Sequence, residues 1–318
     1  MIYEQIIGEI NKSSKVAITS HVAPDGDNIG SSLALCLALR KLDKKVDFVL
    51  DDHIPEVYKF LTGAKEAVRP ASFENLEYDL VIALDCGDLD RLGRVKLLTE
   101  KTPLVNIDHH ISNTNFGDVN LVEENASATA EIVYKLIKSM GIFIDQEIAE
   151  CIYTGIVTDT GMFQYSNTSE ETHSIAAELI IAGVKPSDIF NKVYQNNPKE
   201  KILLMKEALQ SLEFHFNNRV TSISVSKKQM DEISRVELDT EGVVNLARDI
   251  ADVEVAVFLK EKEPNVIKAS LRSKNLVDVC AIAKVFGGGG HIRASGCTIN
   301  GSLEQAKQLI LQEVQRQI

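Results

Sequence analysis

Four short runs of aliphatic and β-branched residues dominate the first third of the chain: VAITS (16–20), VDFVL (46–50), DLVIALD (79–85) and PLVNID (103–108). Polar turn residues bound each run, and none alternates apolar with polar as a strand with one wet face does. Strands that are apolar on both sides must be covered on both sides. A helix-length segment, IGSSLALCLALRKL, separates the first two. After Asn125 comes ASATAEIVYKLIKSMG, where Ile132, Val133, Leu136, Ile137 and Met140 keep helical spacing up to Gly141. Buried strands alternating with helices predict an α/β fold with a doubly wound, mainly parallel sheet.

From about 171 to 212 the pattern becomes consecutive helices (ETHSIAAELIIAG, PSDIFNKVYQN, PKEKILLMKEALQSL) punctuated by Pro186 and Pro198. The remainder starts afresh. RVTSISVS reads as a strand, EGVVNLARDI as a helix, and VEVAVFLKE with NVIKASLRS as a strand pair. LVDVCAIAKVF reads as a helix before GGGG, and SLEQAKQLILQEVQRQI as a final amphipathic helix. The expected organisation is a catalytic domain over 1–190, a helical connector over 191–212 and a smaller mixed α/β domain over 213–318. A chain of 318 residues can bury two such cores.

After the strand-like runs come the reactive side chains. VAITS leads into HVAPDGDNIG with His21, Asp25 and Asp27; DLVIALD ends on Asp85; PLVNID ends on Asp108 before His109 and His110. ECIYTGIVTDTGMF carries Asp159 in the same setting of apolar run and turn. Open parallel sheets bind ligands outside the carboxyl ends of their strands, so these groups are expected to converge. A lone Asp in such a place is usually a turn or cap residue, and Asp27 by itself could cap a helix opening near Ile29–Ser31. Four such turns in succession call for another reason.

That reason is metal binding. Carboxylate and imidazole donors without thiolates suit Mn²⁺, with Mg²⁺, Fe²⁺ and Co²⁺ as competitors, and argue against a structural zinc. Two ions about 3.5–4 Å apart would clamp a phosphoryl displacement and generate hydroxide near neutral pH. Asp25, Asp27, Asp85 and Asp159 would balance two divalent ions and leave an anionic substrate unrepelled.

HVAPDGDNIGS, LDCGD, IDHH and VTDTGMF resemble, in order, the four motifs of the DHH phosphoesterase superfamily. SLRSK and GGGGHIRASG resemble its DHH-associated C-terminal domain. The SNTNFG and ASATAEIVY segments are similar to the nanoRNase subfamily, bifunctional oligoribonucleases and 3',5'-bisphosphate nucleotidases. The resemblance implies one metal on His21, Asp25 and Asp85, and a second on Asp27, Asp85, His109 and Asp159, with Asp85 bridging. It implies a water or hydroxide between the metals as nucleophile, His110 facing the substrate phosphate, and Asp108 bracing a neighbouring imidazole or the loop backbone.

GGGGHIRASG lacks the strand-before, helix-after context of a dinucleotide fingerprint. Four glycines let backbone amides approach an anion closely, or simply form a flexible turn. The resemblance implies that Gly288, Gly289, Gly290 and His291 meet the substrate's non-scissile end across an interdomain cleft, with Arg272 as the phosphate or base contact. Lys274 and Arg293 read as surface charges, GDLDRLGR as a solvated turn, Cys86 as a small core filler, and His53, His173 and His215 as surface or core residues.

Composition bounds the partners. The net charge of −12 argues against gripping a long nucleic acid duplex but leaves room for a small anionic ligand held by a few cations. No apolar stretch approaches the roughly 20 residues that span a bilayer. MIYEQIIGEINKSSK lacks a secretory pattern, and the five cysteines form no CxxC pair, so a cytoplasmic protein without membrane partners is expected. The expected substrates are short RNA oligonucleotides, linear dinucleotides such as pApA, and 3'-phosphoadenosine-5'-phosphate. The rivals are an inorganic pyrophosphatase or cyclic-dinucleotide phosphodiesterase of the same superfamily, or a non-catalytic nucleotide sensor. Oligomeric state is left open, a homodimer included.

Overall fold

The apolar runs pair side by side. In the computed structural model, β1 (Lys15–Ser20), β2 (Lys45–Phe48), β3 (Leu80–Leu84), β4 (Leu104–Asp108) and β5 (Val119–Val122) form a sheet in the order β2-β1-β3-β4-β5. Every pairing in it is parallel. The structure describes residues 2–73, 76–236, 238, 240 and 242–318, and the backbone alone of His291. β3 and β4 are buried throughout, because helices cover one face and a 3-10 segment, Leu89–Leu98, the other. β5 is half-buried at the sheet edge, and its four residues VNLV give no strong strand signal in the sequence.

One face is covered by α1 (Ile2–Lys12), α2 (Gly26–Arg40), α3 (Thr129–Ser139) and α4 (Gln146–Asp159), followed by α5 (Glu170–Ile181) and α6 (Pro186–Tyr194). Helix α2 is buried almost all round, as its uninterrupted GSSLALCLAL requires. It meets α4 closely because glycines stand at the crossing. A Cβ on Gly30 would strike the Cys151 carbonyl, and one on Gly155 would lie 2.6 Å from Ala130 Cβ and 2.8 Å from Asp27 Oδ1. Asp159 therefore ends a helix, its run of Ile, Tyr, Val and Thr being turned helical by packing against α2.

Contacts divide the chain at Asn196/Asn197. The second unit contains α7 (Lys199–Gln210), β6 (Glu213–His215), β7 (Val220–Val225), α8 (Lys227–Ile233), α9 (Val243–Arg248), β8 (Val255–Glu263), β9 (Val266–Ser273), α10 (Val279–Val285), β10 (Gly289–His291), β11 (Ala294–Asn300) and α11 (Leu303–Gln315). Its sheet runs β10-β11-β9-β8-β7-β6, and only β7 and β8 pair in parallel. Leu204 and Ala208 of α7, in the stretch expected as connector, are buried in this unit's core with Ile223 and Phe258. Val257, Leu259, Ala269 and Leu271 pack on the opposite face with Ile282 of α10 and Ile310 of α11.

The turn after β9 is built on a buried carboxylate. Glu254 Oε1 accepts the N–H groups of Asn275 (3.1 Å), Leu276 (2.5 Å) and Val277 (3.0 Å), so one side chain satisfies three successive amides. Among the described residues no helix is long and apolar enough to cross a membrane.

Candidate metal centre

Five elements carry the site. The segment after β1 places His21 almost fully buried, with Nδ1 2.7 Å from the Val22 carbonyl. That contact fixes the Nδ1–H tautomer and aims Nε2 at carboxylates: Asp85 Oδ2 at 3.5 Å and Asp25 Oδ2 at 3.7 Å. Asp25 is the N-cap of α2, its Oδ1 accepting Asn28 N–H at 3.1 Å. Asn28 also takes the Ser20 hydroxyl at 2.6 Å and donates to the His21 carbonyl at 3.3 Å, bracing the turn.

Asp85 leaves β3 with φ of 53°, the left-handed region that a non-glycine residue enters at a cost of about 1–2 kcal/mol. Its amide still bonds the Ile107 carbonyl at 3.0 Å. The carboxylate lies in the middle of the cluster, with Thr129 Oγ1 donating to Oδ1 at 3.1 Å. His109 repeats the geometry of His21. Its Nδ1 lies 3.2 Å from the Ala126 carbonyl, and its Nε2 is 3.4 Å from Asp159 Oδ2 and 3.7 Å from Asp85 Oδ1.

Asp27, fully buried in the first turn of α2, caps a different helix. Its Oδ2 accepts Thr129 N–H at 2.6 Å and its Oδ1 accepts Ala130 N–H at 2.9 Å, so the positive end of α3 points into the cluster. The cap of α2 itself is Asp25, two residues earlier than the sequence alternative supposed.

Separations of 3.4–3.7 Å between imidazole nitrogen and carboxylate oxygen are long for charge-assisted hydrogen bonds. They lie just beyond the edges of a coordination shell, where donors about 2.1 Å from an ion stand roughly 3–3.4 Å apart, so a bound ion would need to draw them in only slightly. Among the described residues three triads have donor atoms within 4.8 Å of one another: His21, Asp25 and Asp85; Asp27, His109 and Asp159; and Asp85, His109 and His110. Both His21 and His109 commit Nδ1 to a backbone carbonyl, the usual outer support of a metal-binding imidazole. The donor set fits divalent cations.

The electrostatics describe a cluster short of positive charge. Burial opposes protonation of His21, but the Asp25 and Asp85 carboxylates outweigh it and raise the imidazole to about 10. Burial also works against ionised Asp85, yet His21, His110 and His109 together hold its carboxyl well below the ordinary range. Asp159 is pushed up to about 7, chiefly by burial and then by Asp85 and Asp25, against His109 and His110. Asp27 is raised by burial and by Asp85, Asp159 and Asp25 against the Ala130 amide. Divalent ions would supply the missing charge.

The adjacent imidazoles of 109 and 110 touch edge to face, with ring centroids 4.7 Å apart. His110 Nδ1 sits 2.7 Å from Asp108 Oδ1 and 3.6 Å from Asp85 Oδ1. Asp108 is completely buried, and Oδ1 accepts the His109 amide at 2.9 Å as well. Asn113 donates to Asp108 Oδ2 at 2.6 Å and to Asn106 Oδ1 at 2.8 Å. Asn106 in turn donates to the Cys86 carbonyl at 3.1 Å. Nothing in the sequence marks Asn106, Asn113 or Thr129 for these roles, although SNTNFG and ASATAEIVY are distinctive segments; the roles depend on hydrogen bonds that no spacing reveals.

In the second unit the glycine run is an edge strand in part. Gly289 pairs with Gly296, Gly290 with Ser295 and His291 with Ala294, and Ala294 pairs onward with Arg272. Gly290 has φ of 138°, and a Cβ there would lie 2.5 Å from the Ala294 carbonyl; one on Gly288 would strike the Gly296 carbonyl. The His291 side chain lies outside the described residues. Arg272, half-buried, donates to the Leu271 carbonyl at 3.0 Å. Lys274 and Arg293 are engaged by the Ile250 and Val277 carbonyls. Elsewhere, Cys86 is buried beside the Asp88 carbonyl, Arg94 pairs with Asp51, His53 meets Arg69, His173 stacks on Phe163 and His215 bonds Ser222.

The glycine at the crossing of α2 and α4 makes a test. Gly155→Ala is expected to push Asp27 off its two amides, lowering stability by about 1–3 kcal/mol and weakening binding of divalent metal. Urea unfolding and metal titration check both.

The DHH family, N-terminal domain, matches residues 15–156, and the DHHA1 domain matches 231–318. A Thermus thermophilus protein named bifunctional oligoribonuclease and PAP phosphatase NrnA is 35% identical, over 99% of this chain and 94% of its own length. The Bacillus subtilis protein of the same name is 29% identical over 93% and 92%. A crystal structure of an exopolyphosphatase-related protein from Bacteroides fragilis superposes with a TM-score of 0.93, at 31% identity and over 99% and 95% of the two chains. RecJ from Thermus thermophilus in complex with Mn²⁺ shares the fold at 11% identity, with a TM-score of 0.58 over 99% of this chain and 54% of that one.

Proposed function

The chain belongs to the DHH family of phosphoesterases and carries a DHHA1 domain, and from that premise we propose a metal-dependent phosphohydrolase for short nucleotides. It cleaves short oligoribonucleotides and linear dinucleotides of the pApA type, and removes the 3'-phosphate of 3'-phosphoadenosine-5'-phosphate. The observation that carries the reading is the convergence of four carboxylates with two imidazoles whose Nδ1 atoms are each held by a carbonyl. The relatives named as oligoribonuclease and PAP phosphatase match over nearly the full length of the chain.

His21, Asp25 and Asp85 would hold one divalent ion, and Asp27, Asp85, His109 and Asp159 the other. Mn²⁺ suits the donors best, with Mg²⁺, Co²⁺ and Fe²⁺ as substitutes. Bound ions of this kind neutralise phosphoryl charge and make hydroxide available near neutral pH. The chain's own residues do the rest. Asp108, locked by Asn113, orients His110 toward the phosphate and keeps its Nδ1 protonated. Arg272 and the glycine strand grip the part of the substrate that is not cleaved. That division needs only a handful of cations, in keeping with the net charge of −12.

The test offers pApA, RNA of two to five nucleotides, 3'-phosphoadenosine-5'-phosphate and pyrophosphate to chelator-stripped protein, with and without Mn²⁺. Mononucleotide and phosphate should appear only with metal. Cleavage of pyrophosphate alone overturns the nucleotide assignment, and metal binding without turnover supports a sensor instead. His110→Ala should keep both metals and lose about 10²–10³ in kcat, the scale of removing one transition-state contact.

A further inference from the structure

We propose that a cavity beside the edge strand β2, apart from the metal centre, binds a mononucleotide and bears through Asp52 on the first metal-binding turn. The cavity stands on its own geometry. The choice of a mononucleotide, the product of the proposed reaction, rests on the oligoribonuclease reading. The site begins where β2 ends. Val68 joins the sheet beside Val49, its amide 2.7 Å from the Phe48 carbonyl and its carbonyl 3.0 Å from the Leu50 amide. The chain between leaves that junction and returns to it, with 3-10 turns at Glu56–Tyr58 and Ala64–Glu66. A space of about 460 Å³ remains within this loop, and every described residue that lines it lies between Leu50 and Arg69, inside the first unit.

The walls are of two kinds. Leu50, Ile54 and Ala64 are buried and Val68 is half-buried, which gives an apolar floor. His53, Lys65 and Arg69 are exposed and form a basic rim. The acids of the lining are already engaged: Glu56 pairs with Lys59 at 2.6 Å, and Asp52 Oδ2 accepts the Ala23 N–H at 2.7 Å. The Lys65 ammonium has no ion pair or hydrogen bond among the described residues. Arg69 is anchored by Nε on the Asp51 carbonyl at 2.7 Å and by Nη1 on His53, and its fork has further N–H groups to offer. Surplus positive charge over an apolar floor suits a ligand with a flat apolar body and an anionic end. The volume lies within the range of small-molecule sites and well beyond what a bare phosphate ion fills. A nucleoside monophosphate has both parts, its phosphate for Lys65 and Arg69 and its base for Leu50, Ile54 and Val68.

Asp52 joins the cavity to the metals. Ala23, whose amide it holds, has φ of 55° and sits between His21 and Asp25. A left-handed alanine costs about 1–2 kcal/mol and persists only where its surroundings fix it. A nucleotide that orders the loop around Asp52 therefore also steadies the turn that aims His21 and Asp25 at the metal.

Isothermal titration of AMP into the chelator-stripped full chain compares wild type with Lys65→Glu, with the cavity-filling Ala67→Leu, and with Arg272→Ala as a control in the proposed substrate grip. AMP should bind wild type and Arg272→Ala alike, and bind Lys65→Glu about tenfold or more weakly. Ala67→Leu should weaken it without any change of charge. Inorganic phosphate and adenosine, offered singly, should each bind more weakly than AMP. With AMP present, the Mn²⁺ affinity of wild type should rise about fivefold more than that of Lys65→Glu, a difference that cancels any nucleotide sitting on the metals. Thermal melting controls for folding of the variants. Binding lost in Arg272→Ala and kept in Lys65→Glu places the nucleotide in the substrate grip and overturns the site, as does an absence of binding to wild type. Phosphate alone binding as well as AMP overturns the mononucleotide, and equal Mn²⁺ shifts in both proteins overturn the link through Asp52. None of these measurements needs turnover, so failure of the site and failure of the phosphohydrolase reading are separate results.

Discussion

Asp85→Asn is expected to cut turnover by at least about a thousandfold and to lower the number of divalent ions bound. The substitution keeps the shape of the side chain, and asparagine tolerates the left-handed backbone that Asp85 adopts at φ of 53°. What it removes is the charge that His21, His109 and His110 all face. Among the described residues Asp85 is the one carboxylate within reach of all three imidazoles, and it appears in two of the three donor triads. Several kcal/mol of transition-state stabilisation are attributable to a metal centre, and about 4 kcal/mol corresponds to a thousandfold in rate. Isothermal titration with Mn²⁺ and steady-state kinetics on pApA read the two effects together. Wild-type rates with full metal occupancy would remove Asp85 from the centre.

The second large effect is on stability and lies far from the metals in sequence. Glu254→Ala should destabilise the second unit by about 3 kcal/mol, because three successive amides lose their acceptor at once. An orphaned buried donor costs roughly 1–3 kcal/mol, and the exposed position of Asn275 and Leu276 lets water recover part of the sum. For a unit of this size the loss corresponds to a fall in Tm of roughly 10–15 °C. Glu254→Gln keeps a carbonyl acceptor and should recover a large share. Metal stoichiometry should stay at the wild-type value in both, since among the described residues no metal-binding triad includes one from the second unit. A Tm within about 2 °C of wild type for the alanine variant would show that the turn finds other partners.

Much of this was legible in the residues, and the reasons differ by element. β1, β3 and β4 declare themselves because strands covered on both faces must be apolar throughout. The site declares itself because parallel strands bring their carboxyl ends together, so His21, Asp85 and His109 needed only their places at strand ends. Asp159 stands at the end of an apolar run, as the sequence indicates, without the sequence telling which kind of element that run forms. Its β-branched run mimics a strand, and only the glycine crossing with α2 makes it a helix. β5 was too short and too half-buried to register. Asn113, Thr129 and Glu254 were invisible for a common reason: each acts through hydrogen bonds to distant backbone or side-chain atoms, and such bonds leave no period.

The carboxylate of Asp27, seated on the first amides of α3, also orders events in the making of the protein. Its partners at 129 and 130 are about a hundred residues downstream, and Asp159 lies further on. During synthesis the first motif leaves the ribosome long before any residue that completes it. A nascent chain ending before α4 therefore presents scattered ligands and no assembled centre, however much metal surrounds it. A hydrolase of short RNA emerging among RNA would thus be kept inactive by its own connectivity until the whole first unit had folded.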